Sequence, residues 1–279
     1  MTTAGTLALT KHHGLGNDFL VCLAPTPSDS AWRSELARHG CHRRRGIGAD
    51  GMLFLAGGAD HEWVMELYNA DGSRAEMSGN GIRCFVQALA MELGVDHGTF
   101  PVLTDAGLRV VEVSATDDPN TVMASVSMGA AEPLGEPHGW HRLECDPMRP
   151  VSHVSMGNPH SIVAVDDVAA VDLGRLGALV PHVNLEIVAA GPEANGITMR
   201  VHERGAGITE ACGTGAAAAA SVAATWGLAS PLQGEILVHM DGGDARVKVN
   251  GPELVLIGPS VFVGRVELPV RVPSEVTNA

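Results

Sequence analysis

Short runs of alternating or β-branched residues recur along the chain, at 19–23, 63–68, 108–113, 121–127, 160–165, 183–188, 198–202, 235–240, 245–249 and 254–257. Each is bounded by Gly, Pro, Asp or Asn, which predicts many strands joined by turns. A last strand is expected near 262–272. Two segments read instead as helices, 82–93 and 216–226, rich in Ala, Leu, Met and Gln, and each follows a Gly-x-Gly directly. A third, shorter helix is expected at 31–38.

The pattern repeats itself. Residues 75–85 read AEMSGNGIRCF and residues 209–219 read TEACGTGAAAA. Both hold a Glu, a spacer, a small nucleophile-type residue (Ser78 or Cys212) and then Gly-x-Gly. Upstream, Gly16-Asn17-Asp18-Phe19-Leu20-Val21 resembles Gly157-Asn158-Pro159-His160-Ser161-Ile162, and Asn69 stands nine residues before Ser78 as Glu203 stands nine before Cys212. A repeat this long points to two pseudosymmetric modules of α+β class rather than a solenoid of short units. The join is expected near 127–137, where Gly and Pro accumulate. That gives an N-terminal module of residues 1–128, completed by 266–279, and a C-terminal module of residues 129–265.

Composition narrows the class. A chain of 279 residues with 45% hydrophobic content has ample material for a core, and with only five Phe and one Tyr that core is largely aliphatic. No apolar run approaches the ~18 residues of a membrane span, and the N-terminus lacks a secretory pattern. A net charge of −14 argues against nucleic acid and anionic membranes as partners. The one basic cluster, Arg43-Arg44-Arg45, reads as a solvated loop. Five cysteines at irregular spacing suit reduced thiols in the cytoplasm. His39-Gly40-Cys41-His42 has no second ligand cluster at a zinc-type spacing, so no metal is expected.

Gly-x-Gly at a helix start exposes N–H groups that the helix does not bond, and these, with the helix dipole, favour an anion. A thiol there is expected to have its pKa lowered, making a general base near neutral pH. Removing the α-proton of an amino acid spreads negative charge into its carboxylate, where such N–H groups stabilise it. With one proton-handling group on each face of the α-carbon, two helix starts aimed at one carboxylate would allow inversion without a cofactor. Gly213-Thr-Gly215-Ala-Ala-Ala218 also matches a dinucleotide fingerprint formally, but a Gly-rich polar loop separates it from the preceding strand, and Glu235 opens the next strand rather than closing it.

Taken together, His13-Gly-Leu-Gly-Asn-Asp-Phe19, Gly46-Ile-Gly-Ala-Asp-Gly51, Asn69-Ala-Asp-Gly-Ser73, Ser78-Gly-Asn-Gly81, Gly157-Asn-Pro-His160, Val183-Asn-Leu-Glu186, Glu203-Arg-Gly-Ala-Gly207 and Ala211-Cys-Gly-Thr-Gly215 resemble the diaminopimelate epimerase family over nearly the whole chain. The resemblance implies two modules, each a mainly antiparallel sheet wrapped round a central helix. It implies cofactor-independent interconversion of LL- and meso-2,6-diaminopimelate, for lysine and peptidoglycan biosynthesis, and it allows a homodimer.

Residue by residue, the resemblance makes Cys212 one acid/base, with His160 and Glu203 orienting proton transfer. Asn17, Asn69, Asn158, Asn184 and Arg204 would hold the substrate's polar ends, Glu203 its ammonium. Gly79, Asn80, Gly213 and Thr214 would give N–H groups to the reacting carboxylate. The departure is Ser78, where the family has cysteine. An engineered replacement, a natural Ser/Cys enzyme of reduced activity, and a relative with another amino-acid substrate or with ligand binding alone are all open on the sequence. Cys84, six residues on, is expected to pack rather than substitute.

Overall fold

A computed structural model describes residues 2–57, 63–251 and 253–273. The chain forms two compact units, Met1–Ala124 with Pro259–Ala279, and Ser125–Gly258. Unit 1 contains β1 (Thr2–Gly14), β2 (Asn17–Cys22), α1 (Ser30–Cys41), β3 (Gly51–Leu55), β4 (Trp63–Asn69), β5 (Arg74–Ala75), α2 (Gly79–Leu93), β6 (Gly98–Thr104) and β7 (Gly107–Ala115). The chain passes into unit 2 within β8 (Thr121–Gly129). There it forms β9 (Glu132–Pro133), β10 (Val151–Ser155), β11 (Pro159–Ala164), α3 (Leu173–Gly177), β12 (Asn184–Ala190), β13 (Gly196–Glu203), β14 (Gly207–Thr209), α4 (Gly213–Trp226), β15 (Glu235–Met240) and β16 (Gly243–Lys248). It returns through β17 (Leu254–Pro273), which pairs antiparallel with β1 from Thr2↔Pro273 to His13↔Val261.

The units share one wiring. In unit 1, β1/β2 is antiparallel, β2/β3 parallel, β3/β4 and β4/β5 antiparallel, β4/β6 parallel and β6/β7 antiparallel. Unit 2 runs through the same senses in the same order, from β10/β11 to β15/β16. Each parallel pair needs a crossover connection. The first crossover is the helix α1 or α3, which packs on β3 and β4 or on β12, β13 and β14; the second is the helix α2 or α4.

The second helix is the centre of each unit. Every residue of α2 from Gly79 to Ala90 is buried, against β1, β2, β4 and β7. In α4, Ala216–Ala220 are wholly buried, against strands β10 to β13, β15 and β16. A helix buried on all sides belongs inside a core, and in α2 that burial takes in the polar side chains of Asn80, Arg83 and Gln87. The outer faces of the sheets are covered too, by Leu36, Ala37 and Cys41 of α1 over Leu20, Met52 and Phe54, and by Leu173 of α3 over Leu185 and Ile187.

This layering explains which strands the pattern predicted and which it did not. Residues of β7 alternate between exposed and buried, and its alternation is legible. β3 is buried on both faces, so its residues Gly-Met-Leu-Phe-Leu carry no period of two. β1, β6, β10 and the short β5, β9 and β14 also extend beyond the predicted set, as does the five-residue α3. The central helices begin at Gly79 and Gly213, three residues before the predicted starts, because the Gly-x-Gly forms their first turn.

Arg43, Arg44 and Arg45 lie exposed in a turn, as a solvated loop does; within it the Arg43 guanidinium also bonds Asp18 at 2.8 Å and Asp50 at 2.6 Å, tying β2 to the loop before β3. Among the described residues no helix is long and apolar enough to cross a membrane.

Candidate active site

The doubled turn is real at the level of backbone angles. Ser78 caps α2 with φ −139° and ψ 123°, and its Oγ accepts the N–H of Gly81 at 3.0 Å. Cys212 caps α4 with φ −129° and ψ 114°, and its Sγ accepts the N–H of Gly215 at 3.4 Å. Each side chain thus satisfies one of the free donors of the first turn. The Gly-Asn turns upstream match as well, with φ 84° at Gly16 and 93° at Gly157, a region that glycine enters freely.

In unit 1 the predicted residues form a polar chain. Asn80, almost fully buried, donates from Nδ2 to Asn17 Oδ1 at 3.2 Å, and Asn17 donates to Asp50 at 2.8 Å. Arg83, fully buried one turn into α2, donates to Asn80 Oδ1 at 2.5 Å, while its Nε and Nη1 have no partner. Burial lowers its pKa to about 10. Asn69 donates to Ser73 Oγ at 3.0 Å and closes its own turn through backbone bonds between Asn69 and Ser73 and between Gly72 and Asn69. Gly79 is buried at the first helical position. Cys84 is buried in the core, as expected, and its thiol is pushed up to about 12.

Unit 2 carries the titratable groups. His160 is completely buried; its Nδ1 lies 2.6 Å from Oε1 of Glu186 and its Nε2 lies 2.9 Å from Oδ1 of Asn158. Asn158 Nδ2 is 3.4 Å from Thr214 Oγ1, which is 3.4 Å from Cys212 Sγ. Half-buried Glu203 accepts from Thr209 Oγ1 at 2.5 Å. Asn184 spends its carboxamide on the main chain, donating to the Pro159 carbonyl at 3.1 Å and accepting the N–H of Arg204 at 2.9 Å. The Arg204 residue itself is exposed. Gly213 and Thr214 are buried in the first turn of α4.

One expectation is overturned. Cys212 does not carry a lowered pKa: burial first, then the negative charges of Glu203 and Glu186, raise its thiol well above the ordinary value. Helix-start donors oppose this and lose, because a dipole term of about a kilocalorie per mole is small beside desolvation of a thiolate. Glu186 is a buried neighbour of His160 to which sequence reasoning gave no role. It lies within the Val183-Asn-Leu-Glu186 motif, and only the β11/β12 register brings it to His160. Its own carboxyl is raised by burial, with His160 opposing. Among the described residues no group of three or more His, Cys, Asp or Glu is placed to hold a metal ion.

The sequence model of the family described as diaminopimelate epimerase matches residues 9–133 and 152–263. The chain belongs to the diaminopimelate epimerase family. It is 37% identical to the diaminopimelate epimerase of Synechococcus elongatus, over 94% of this chain and 99% of that one. It is 33% identical to that of Halothermothrix orenii, over 93% and 98%. The solved structure of a predicted epimerase from Pseudomonas aeruginosa shares the fold at a TM-score of 0.74, with 16% identity over 94% of this chain and 99% of that chain. Diaminopimelate epimerases are isomerases, and the two-module wiring described above is the fold of this family.

Proposed function

We propose that the chain epimerises LL- and meso-2,6-diaminopimelate by abstracting and returning the α-proton, a step of lysine and peptidoglycan biosynthesis carried out in the cytoplasm without a cofactor. The observation that carries the reading is the pair of identical helix caps, Ser78 on α2 and Cys212 on α4, in a chain of this family.

Inversion needs a proton to leave one face of the α-carbon and another to arrive on the opposite face. We assign the first face to Cys212 and the second to Ser78. The raised pKa makes Cys212 a proton donor at rest. Glu203 is one cause of that shift, so a substrate ammonium paired with Glu203 cancels its charge and brings the thiolate within reach. The Ser78 hydroxyl is too weak an acid to serve as a base on its own, and relays a proton from water. N–H groups of Gly79, Asn80, Gly213 and Thr214 are assigned to the carboxylate that gains charge. Asn17, Asn69, Asn158 and Asn184 are assigned to the polar ends, directly or by shaping the turns, and Arg204 to the distal carboxylate as a bidentate pair. The partner is a small amino acid, with no role for nucleic acid, and a homodimer is the assembly to test.

Incubation with LL-diaminopimelate in deuterated water tests the assignment. Deuterium at the α-carbon, with meso product, is expected. No α-exchange by the protein or by its Ser78→Cys form rejects it.

A further inference from the structure

Glu186 has no part in the roles assigned above, yet the fold goes to some length to hold it. Its side chain is completely buried, one oxygen lies against His160, and the other, Oε2, has no partner. A carboxyl in that state is costly to keep. Space for it is left by Gly215: a Cβ there would stand 2.7 Å from Glu186 Oε1. Among the described residues of unit 1 the equivalent positions are apolar. The register of β2 and β3 sets Val21 opposite Leu53 where β11 and β12 set Ile162 opposite Glu186, and Phe19 stands where unit 2 has His160. The nearest neighbours of a Cβ on Gly81 would be Ser78 and the Phe19 ring.

We propose that Glu186 is a positioning residue for proton transfer at Cys212: through Nδ1 of His160 it holds the ring with a proton on Nε2, and so fixes the carboxamide of Asn158. The reasoning starts at Asn158 Oδ1, which can only accept; His160 Nε2, 2.9 Å away, must donate to it. At the other end of the ring two proton placements are possible, a carboxylic acid donating to a neutral imidazole or a carboxylate accepting from an imidazolium. Both leave Nε2 protonated, and both leave the pair neutral, as a fully buried pair requires. With Oδ1 held, Asn158 Nδ2 faces Thr214 Oγ1, whose own contact is the Cys212 sulfur. Without Glu186 the ring is free to take the opposite tautomer. Nε2 would then accept, and Asn158 would turn its oxygen toward Thr214.

The identity of the reaction step rests on the proposed function; the tautomer does not. In protein labelled with ¹⁵N-histidine, the His160 signals, assigned by their loss in His160→Gln, are expected to show a protonated Nε2, and a bare Nε2 overturns the proposal. Two substitutions then separate orientation from charge. The Glu186→Gln amide still donates to Nδ1, so it is expected to keep the tautomer and to stay within about threefold of the parent kcat/KM. Glu186→Leu loses the tautomer and, mainly in kcat, about 30-fold of activity, on the scale of other supporting hydrogen bonds. A fully active Leu form, or a Gln form as poor as the Leu form, overturns the proposal. If Glu186→Leu does not fold, the parent tautomer and the Gln form decide. If the parent protein exchanges no α-proton of diaminopimelate, the proposed function fails while the tautomer measurement still stands or falls alone.

Discussion

Ser78 and Cys212 are the same residue position built twice, within about 10° of each other in both backbone angles, each capping the helix that forms the centre of its unit. What lies beneath them differs. Under the Ser78 turn is the ring of Phe19; under the Cys212 turn are Glu186 and His160. The backbone of the turn is duplicated, and the buried titratable side chains beneath it are not.

Substituting Ser78 separates capping from chemistry. The matched backbone means that Ser78→Cys fits without rearrangement and supplies a more acidic group, so epimerisation is expected to rise by at least about tenfold. Ser78→Ala leaves one proton-handling face. It is expected to retain α-deuterium exchange on the Cys212 side, to lose inversion, and to lose about 1 kcal/mol of stability with the cap. Proton NMR of the product and thermal denaturation read out both effects.

The raised thiol pKa of Cys212 has a sign that alkylation can check. Glu203 disfavours the thiolate, so Glu203→Gln lowers the pKa and increases the thiolate fraction at a given pH. Iodoacetamide labelling of Cys212 at pH 8, followed by peptide mass spectrometry, is expected to be slow in the parent protein and several-fold faster in Glu203→Gln, while turnover falls. Equal labelling rates would contradict the electrostatic account.

His12 predicts a pH dependence of stability. Buried in unit 1 with Nδ1 2.9 Å from Gln87 and Nε2 unpartnered, it has a pKa lowered to about 4, chiefly by desolvation. The unfolded chain binds this proton near pH 6.5 and the folded one does not until about 4, so stability falls as pH drops through that window and no further below it. The full effect is roughly 3 kcal/mol, at 1.36 kcal/mol per unit. Urea midpoints measured from pH 7.5 to 4.5 are expected to decline, and the decline to be visibly shallower in His12→Gln.

Gly81 and Gly215 occupy equivalent places and are expected to respond unequally to alanine. A Cβ at Gly81 would meet Ser78 at 3.1 Å and Phe19 at 3.4 Å, whereas one at Gly215 would meet a buried carboxyl oxygen at 2.7 Å. Gly215→Ala is expected to cost about 2 kcal/mol or more, in the range of overpacked cores, and Gly81→Ala less. Adding Glu186→Ala to Gly215→Ala removes the clash, so the pair is expected to couple by more than about 1 kcal/mol in a double-mutant cycle.

The sequence alone determined what is local. A small capping residue, Gly-x-Gly and then a run of good helix formers mark a helix start from neighbouring residues alone, so both caps, the repeat of the halves and the placing of Ser78 and Cys212 were legible in the sequence. Strands with one solvent face, such as β7, were legible by their alternation. Tertiary structure decided the rest. β3 lies between two packed layers and shows no period to read. The pairing of Glu186 with His160 joins residues 26 apart through the register of two parallel strands. The proton affinity of Cys212 reversed its expected direction because desolvation and the charges of Glu186 and Glu203, carried on two other strands, outweigh the dipole of its own helix. A local pattern fixes a turn, but a proton's free energy depends on everything within several ångströms, and only the fold assembles that neighbourhood.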